Sequence, residues 1–402
     1  MFLGKKKFKL AAFLAGGFLA CSMLTGCGGD NAGGGGGSAN ADEIVVGSNF
    51  ELTGNHAQYG SNAAQGFKLA VQEVNDAGGV NGKKIKIVDA DSKSDAAESV
   101  NAATKLISDN KVVAMVGPAV TASVIAESQV AADNKVPVIA PAATNPDVTV
   151  ENGELKPFIF RACFIDPQQG EVMAQFAANT ADKGGLGAKT AVLYIDSSSD
   201  YSKSLGKVFK EKFETAGGQV LMEEFFVAKD QDFKATLTKL QGANADVMFV
   251  PAYYEEVGKI VKQARELGIN STILGTDGWD DSKVVEISGK DALNNTFFCT
   301  HYFEGDAEVQ DFINAYKKAY NNDPNVFAAL GYDAGKMLVN AIERGGDSSE
   351  KIRDNIESIK DLKVGTGTIT MDAKTHNPIK GIVVIENKNG ARELRTKIAP
   401  EG

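Results

Sequence analysis

One stretch restricts the possible folds more than any other: residues 111–146, KVVAMVGPAVTASVIAESQVAADNKVPVIAPAATNP. An apolar run, Val112 to Val116, stops at Gly117-Pro118. A helix-period segment follows, with Val124, Ser128 and Ala131 on one face. A second apolar run, Val136 to Ile139, breaks at Pro141-Ala142-Ala143-Thr144-Asn145-Pro146. Strand, helix, strand is the unit of a parallel sheet. Both strands end in small-residue loops with hydroxyls and free backbone N–H groups. Ligands of open parallel sheets sit beyond the carboxyl ends of the strands. Two such loops side by side suit a small anionic group such as a carboxylate.

The flanking sequence repeats the same unit. Ile44 to Ser48 and Lys84 to Asp89 read as strands; helices follow on Phe67, Ala70, Val71 and Val74 and on Val100, Ala103 and Ile107. Phe158 to Phe164 (FIFRACF) is extended and opens a second series. Its strands are Thr190 to Ile195, Gln219 to Phe226, Val247 to Val250 and Thr272 to Gly275. Its helices are marked by Leu205, Val208, Phe209 and Phe213, by Phe233, Leu237 and Leu240, and by Val257, Ile260, Val261 and Ala264. Asn295 to Phe303 (NTFFCTHYF) is a second extended aromatic stretch. Two helices without a strand between them follow, then strands at Val364 to Met371 and Gly381 to Ile385.

The expected fold is therefore α/β: two doubly wound lobes joined by three crossing strands. The first lobe is 42–160 plus 304–364 and the second 161–303 plus 365–400, with the third crossing near Gly365. A length of 402 residues accommodates two such lobes. A cleft between hinged lobes is a preferred ligand site.

Residues 1–26 read as a lipoprotein signal peptide. Lys5 to Lys9 form a basic region and Leu10 to Leu24 an apolar one of 15 residues, short for a membrane span. Leu24-Thr25-Gly26-Cys27 looks like a lipobox, which implies cleavage before Cys27 and a lipid on its sulfur. The Gly-rich stretch 27–41 reads as a flexible tether. No run of about 18 apolar residues follows residue 27. The net charge of −10 argues against nucleic-acid binding, which needs a basic face. Cys163 and Cys299 are an even pair in an exported chain, so a disulfide and two buried thiols are equally open readings.

Catalytic signatures are missing. His56, His301 and His376 lie far apart and have no Cys-x-x-Cys companion, so no metal site is expected. No Gly-x-Ser-x-Gly elbow or Gly-x-Gly-x-x-Gly turn occurs. Paired carboxylates such as Glu255-Glu256 and Asp280-Asp281 are common on solvated surfaces and do not by themselves signal acid/base work. No cofactor is expected.

Glu51-Leu52-Thr53-Gly54, Gln58-Tyr59-Gly60, Gly117-Pro118 with Thr121-Ala122-Ser123, the PAATNP loop, Phe160-Arg161-Ala162-Cys163-Phe164, Tyr253-Tyr254 and Gly275-Thr276-Asp277-Gly278-Trp279 occur in this order. In this set the chain resembles the bacterial branched-chain amino acid binding proteins, the solute receptors of ABC importers with the type I periplasmic-binding fold. The resemblance implies that Thr121, Thr144 and the backbone of Ala142 and Ala143 hold a ligand's carboxylate and part of its ammonium. It implies that Asp277, often Glu in the family, receives the ammonium. Tyr59, Tyr201, Tyr253 and Phe327 would wall the side-chain pocket, with Trp279 beside the acid. Thr121 could instead be a helix cap, Thr144 and Asp277 turn residues, and Tyr253 core. The expected protein is a monomeric, lipid-anchored, non-enzymatic receptor that passes an amino acid to a permease. An amide, an aromatic acid or a sensor role is the alternative, and an enzyme in the cleft the rival from another class.

Overall fold

The computed structural model describes residues 43–346 and 348–399. The expected signal peptide, the lipidation site Cys27 and the tether lie outside the described residues.

The first lobe is built on five parallel strands: β1 (Glu43–Phe50), β2 (Lys84–Asp91), β3 (Met115–Val116), β4 (Val138–Ala140) and β5 (Ile159–Arg161), in the order β2-β1-β3-β4-β5. Parallel neighbours need crossover helices, here α1 (Ala57–Asp76), α2 (Ala96–Ser108) and α3 (Thr121–Asp133). Local chemistry sets their ends. Asp95 caps α2 by accepting from the N–H groups of Ala97 and Glu98.

In the second lobe α4 (Asp166–Ala178) leads into β6 (Thr190–Asp196), α5 (Asp200–Thr215), β7 (Gln219–Phe226), α6 (Lys234–Gly242), β8 (Val247–Phe249), α7 (Tyr254–Glu266), β9 (Thr272–Gly275), α8 (Ser282–Ser288) and β10 (Thr296–Thr300). The chain then returns to the first lobe with α9 (Gln310–Tyr320), α10 (Val326–Glu343) and α11 (Ser349–Glu357). A last crossing adds β11 (Ile382–Lys388) and β12 (Ala391–Ile398). The seven-stranded order is β12-β11-β10-β9-β8-β6-β7, antiparallel at β10-β11-β12 and parallel elsewhere.

One sequence expectation needs correction, and two elements were not expected. The third crossing is not near Gly365. Residues 362–378 stay on the first lobe as short hairpins, Leu362–Val364 with Gly367–Ile369 and Met371–Asp372 with Asn377–Pro378. Thr366 bonds Asp333 of α10, and His376 stacks on Phe160 at 4.0 Å. The chain crosses between Pro378 and Ile382, so the first lobe extends past residue 364. α11 was not expected, because only Ile352 and Ile356 mark its buried face. β12 was not expected either, because its exposed edge reads ARELRTKI, with little apolar signal.

The crossings are tied to one another. His301, just after β10, stacks on Phe164, just after β5, at 3.6 Å. The buried Lys380 amine donates to Ala162 O at 3.0 Å and to Asp333 Oδ2 at 2.9 Å.

The helices that carry Tyr59 and Phe327 meet through two glycines. A Cβ on Gly66 of α1 would lie 1.8 Å from Ala328 O, and one on Gly331 of α10 would lie 2.0 Å from Ala63 O. The backbones touch because neither position has a side chain. Gly331→Ala should therefore push α10 off α1 and cost about 2–3 kcal/mol, with chemical denaturation as the check. An unchanged midpoint would mean that the helices can part freely.

Candidate ligand site between the lobes

Parallel pairing aligns the strand ends. Met115 and Val116 register with Val138 and Ile139, so the loops after β3 and β4 lie side by side. They hold Thr121, the first residue of α3, and Ala142, Ala143 and Thr144, all buried. Thr121 is not the cap of α3; Val120 occupies that position. The second loop is braced from beneath by the fully buried Arg161. Its guanidinium donates to Ala143 O at 2.7 Å, to Asn145 O at 2.9 Å and to the Thr149 hydroxyl at 3.0 Å.

On the second lobe, Tyr201, Tyr253 and Asp277 follow the adjacent strands β6, β8 and β9. The Tyr201 hydroxyl donates to Asp277 Oδ1 at 2.8 Å and accepts from the N–H of Gly278 at 3.1 Å. His301 Nε2 lies 3.2 Å from Asp277 Oδ2. Burial lowers the pKa of His301, against the pull of Asp277, so the ring is neutral and donates through Nε2. Gln169 Oε1 accepts from the Asp277 N–H at 3.1 Å. Asp277 is thus held on three sides within the interior and is no simple turn residue.

The aromatic side chains form one connected wall across both lobes. Phe327 lies 4.1 Å from Tyr59, Tyr59 lies 5.7 Å from Tyr253, and Tyr253 stacks on Tyr201 at 4.9 Å. Tyr59 of the first lobe donates to Gly278 O at 2.5 Å and accepts from Tyr254 N at 3.0 Å. The Tyr254 hydroxyl donates to Asn55 O at 2.6 Å, and Asn145 Nδ2 donates to Asp200 O at 3.1 Å. These bonds join the two lobes, so the conformation is closed.

Trp279 is the expected site residue that stands apart. Its Nε1 donates to Val250 O at 2.9 Å and its ring covers Gly275. Its remaining surface lines a different groove of about 590 Å³ with Gln58, Asn62 and Arg392. It supports the Asp277 loop from behind. Cys163 and Cys299 are buried free thiols. Cys163 faces Ala143 O and Cys299 faces Gln169 Oε1, each at 3.4 Å. Of the two readings left open by the sequence, the structure has the unbonded one.

Sequence reasoning missed several members. Arg161 was signalled by a lone charge inside an apolar run. Asp166 and Gln169 had only the weak signal of a polar first helical turn, and His301 was hidden in an aromatic stretch. Among the described residues, Thr144 Oγ1, both Asp166 carboxylate oxygens, Gln169 Nε2 and His301 Nδ1 are buried with no hydrogen-bond partner in the protein. No group of three or more His, Cys, Asp and Glu among the described residues could hold a metal ion, and no described helix is long and apolar enough to cross a membrane.

Two lobes, three crossings and facing polar loops define the class: a hinged solute-binding protein. The periplasmic binding protein family model matches residues 43–392, so the chain belongs to that family, one of binding proteins rather than enzymes. It is 30% identical over 336 residues to Leu/Ile/Val-binding protein homolog 3 of Brucella melitensis, covering 83% of this chain and 88% of that one. Its structure is similar to the branched-chain amino acid transporter substrate binding protein LivJ of Streptococcus pneumoniae in complex with isoleucine. The TM-score is 0.82 at 37% identity, over 89% of this chain and 100% of that one. It is also similar to the leucine binding protein LivK of Thermotoga maritima, with a TM-score of 0.81 at 36% identity over 89% and 99%. The type I fold expected from the sequence is the fold observed.

Glu51 ends β1 and braces the loop that leads to Thr121. Its carboxyl accepts from Ala119 N at 3.0 Å and Val120 N at 3.1 Å. Burial pushes its pKa from 4.5 up to about 7, against these hydrogen bonds. Between those values the folded chain binds more protons than the unfolded one, so stability falls as pH rises through the window. Relative to Glu51→Gln, the wild type should lose about 2 kcal/mol between pH 5 and pH 7.5 in urea denaturation. Parallel pH profiles for the two proteins would refute this account of Glu51.

Proposed function

We propose that this protein captures a free aliphatic amino acid, most simply leucine, isoleucine or valine, between its lobes and delivers it to an ABC permease. The observation that carries the reading is chemical complementarity across the closed interface. The first lobe offers neutral hydroxyls and amides at Thr121 and Ala142 to Thr144, and the second offers the fixed acid Asp277. A zwitterion needs both, in a place from which water is excluded. The wall of Tyr59, Tyr201, Tyr253 and Phe327 suits an apolar side chain. The names of the similar proteins, Leu/Ile/Val-binding and LivJ with isoleucine, support the same ligand class.

The ligand touches both halves, so binding energy goes into closure, and a permease can read the closed shape. A lipid on Cys27 and the 27–41 tether would keep the exported receptor anchored to the cell membrane, on its periplasmic or outer-face side, beside its permease. The receptor would work as a monomer, since one chain supplies both sides of the site.

Calorimetry on residues 41–402 with a panel of amino acids, amides and aromatic acids tests the reading. A branched-chain amino acid should bind most tightly. Asp277→Ala should weaken it by about 2–5 kcal/mol, because truncation strands a buried ammonium. Tight binding of an aromatic acid with no amino acid response would replace the proposed ligand, and unchanged affinity in the variant would remove Asp277 from the site.

A further inference from the structure

We propose that His56 couples closure of the lobes to acidity: its ring must be neutral for the seam to shut, so acid loosens the hold on the ligand, an inference that rests on the amino-acid reading above. His56 is the residue before α1, on the first lobe, and its N–H donates to the Ser94 hydroxyl at 3.1 Å. Its ring lies parallel to Tyr59, with centroids 6.2 Å apart, and meets Tyr253 of the second lobe edge-on at 4.9 Å. His56 is thus a further ring in the aromatic wall that spans the lobes. His56 and Tyr253 are both partly exposed, whereas Tyr59 is buried, so this ring sits at the solvent-facing edge of the wall. Opening the lobes would part it from Tyr253 and return it to water.

Three features set a positive charge at His56 against closure. The first is enclosure, which penalises the charged form of the ring. The second is Lys229 on the loop after β7, whose positive charge acts on the ring from the second lobe. That loop is held where the Lys229 N–H donates to Glu256 Oε1 at 2.9 Å. The third is α1 itself. His56 occupies the cap position, its side chain makes no capping bond, and no acid lies in the first turn. The positive end of the helix therefore disfavours an imidazolium there. Among the described residues no carboxylate pairs with the ring. Asp91, on the adjoining first-lobe segment, accepts from Thr53 and from the Lys93 N–H, Lys93 pairs with Glu98, and Glu256 serves the Lys229 N–H. The phenols of Tyr59 and Tyr253 are pushed up by burial and stay neutral. In the closed form burial pulls the His56 pKa from 6.5 down to about 4, and Lys229 adds to the fall.

An imidazole freed by opening returns toward its ordinary value of about 6.5. Between about 4 and 6.5 the open form therefore binds a proton that the closed form does not. Closure over a ligand must expel that proton. Ligand affinity then falls as pH falls through this window, by up to about tenfold per unit. Above about pH 7 the ring is neutral in both forms and the link disappears. Asp166 and Asp281 act in the opposite sense, since burial raises their pKa values to about 8 and about 6. Asp281 also accepts from Asn325 Nδ2 across the lobes at 3.0 Å. Their contribution is common to the wild type and to a variant that lacks only the imidazole, so the difference between the two isolates His56.

The test is calorimetry of L-leucine binding to residues 41–402, wild type and His56→Gln, at pH 5.2 and pH 7.5. Buffers of different ionisation enthalpy count the protons. The ratio of wild-type to variant affinity should rise by about fivefold or more from pH 5.2 to pH 7.5. At pH 5.2 the wild type should release about one proton more per leucine than the variant, and at pH 7.5 the two should match. Equal proton release at pH 5.2, or the same affinity ratio at both pH values, overturns the proposal, since His56 would then only pack on the tyrosines. A second arm needs only the wild type. In proton NMR one imidazole should titrate at about pH 6.5 without leucine and stop titrating above about pH 5 when leucine saturates the site. Identical titration in the two states overturns the proposal even if the variant does not fold. Failure of the wild type to bind leucine at all would remove the amino-acid reading and this inference with it, whereas leucine binding with no proton difference removes this inference alone.

Discussion

Buried carboxylate is the main electrostatic constraint at the place where the lobes meet. Asp277 and Asp166 lie in the interior where the lobes meet, with a tyrosine wall around them and no contacting side-chain cation. Burial penalises the charged form of Asp166 and raises its pKa, while Asp277 is held by the Tyr201 hydroxyl and His301 Nε2. A receptor that closes only over the right solute can be built from this asymmetry. The interlobe bonds of Tyr59, Tyr254 and Asn145 are neutral, each contributing on the order of 1 kcal/mol, and Asn325 Nδ2 adds one to the Asp281 carboxylate at 3.0 Å. They hold the two lobes together in the closed conformation.

The scaffold fits that task. Each lobe is a doubly wound sheet whose strand ends point into the cleft, so small loops can present hydroxyls and amides without disturbing the core. Arg161 shows the cost of this precision. A guanidinium is fully buried to hold the carbonyls of one loop, and its charge also tempers the acids nearby. The crossings are stiffened by His301 on Phe164 and by Lys380 between Ala162 and Asp333, which narrows the motions open to the hinge.

Much of this was legible in the sequence, because parallel strands are continuous apolar runs and their terminal loops have distinctive small residues. Thr121, Thr144, Tyr201, Tyr253 and Asp277 follow neighbouring strand ends, as the repeated units imply. What escaped detection depended on three-dimensional context. The segment 362–378 has strand-like residues, and its chain pattern does not show that it folds back on α10. Asp166 looks like an ordinary acid in a helix's first turn, a surface feature in most proteins. Only its burial between two loops changes its meaning. Trp279 is next to Asp277 but two residues further along a tight turn, and that turn sends its ring to the opposite side.

The central claim is that a solute bridges the lobes and stabilises their closure. Small-angle X-ray scattering on residues 41–402, without ligand and with saturating L-leucine, tests it most directly. The radius of gyration should fall when leucine is added, as the lobes come together around it. An unchanged radius, in a sample where calorimetry registers leucine binding, would contradict the account.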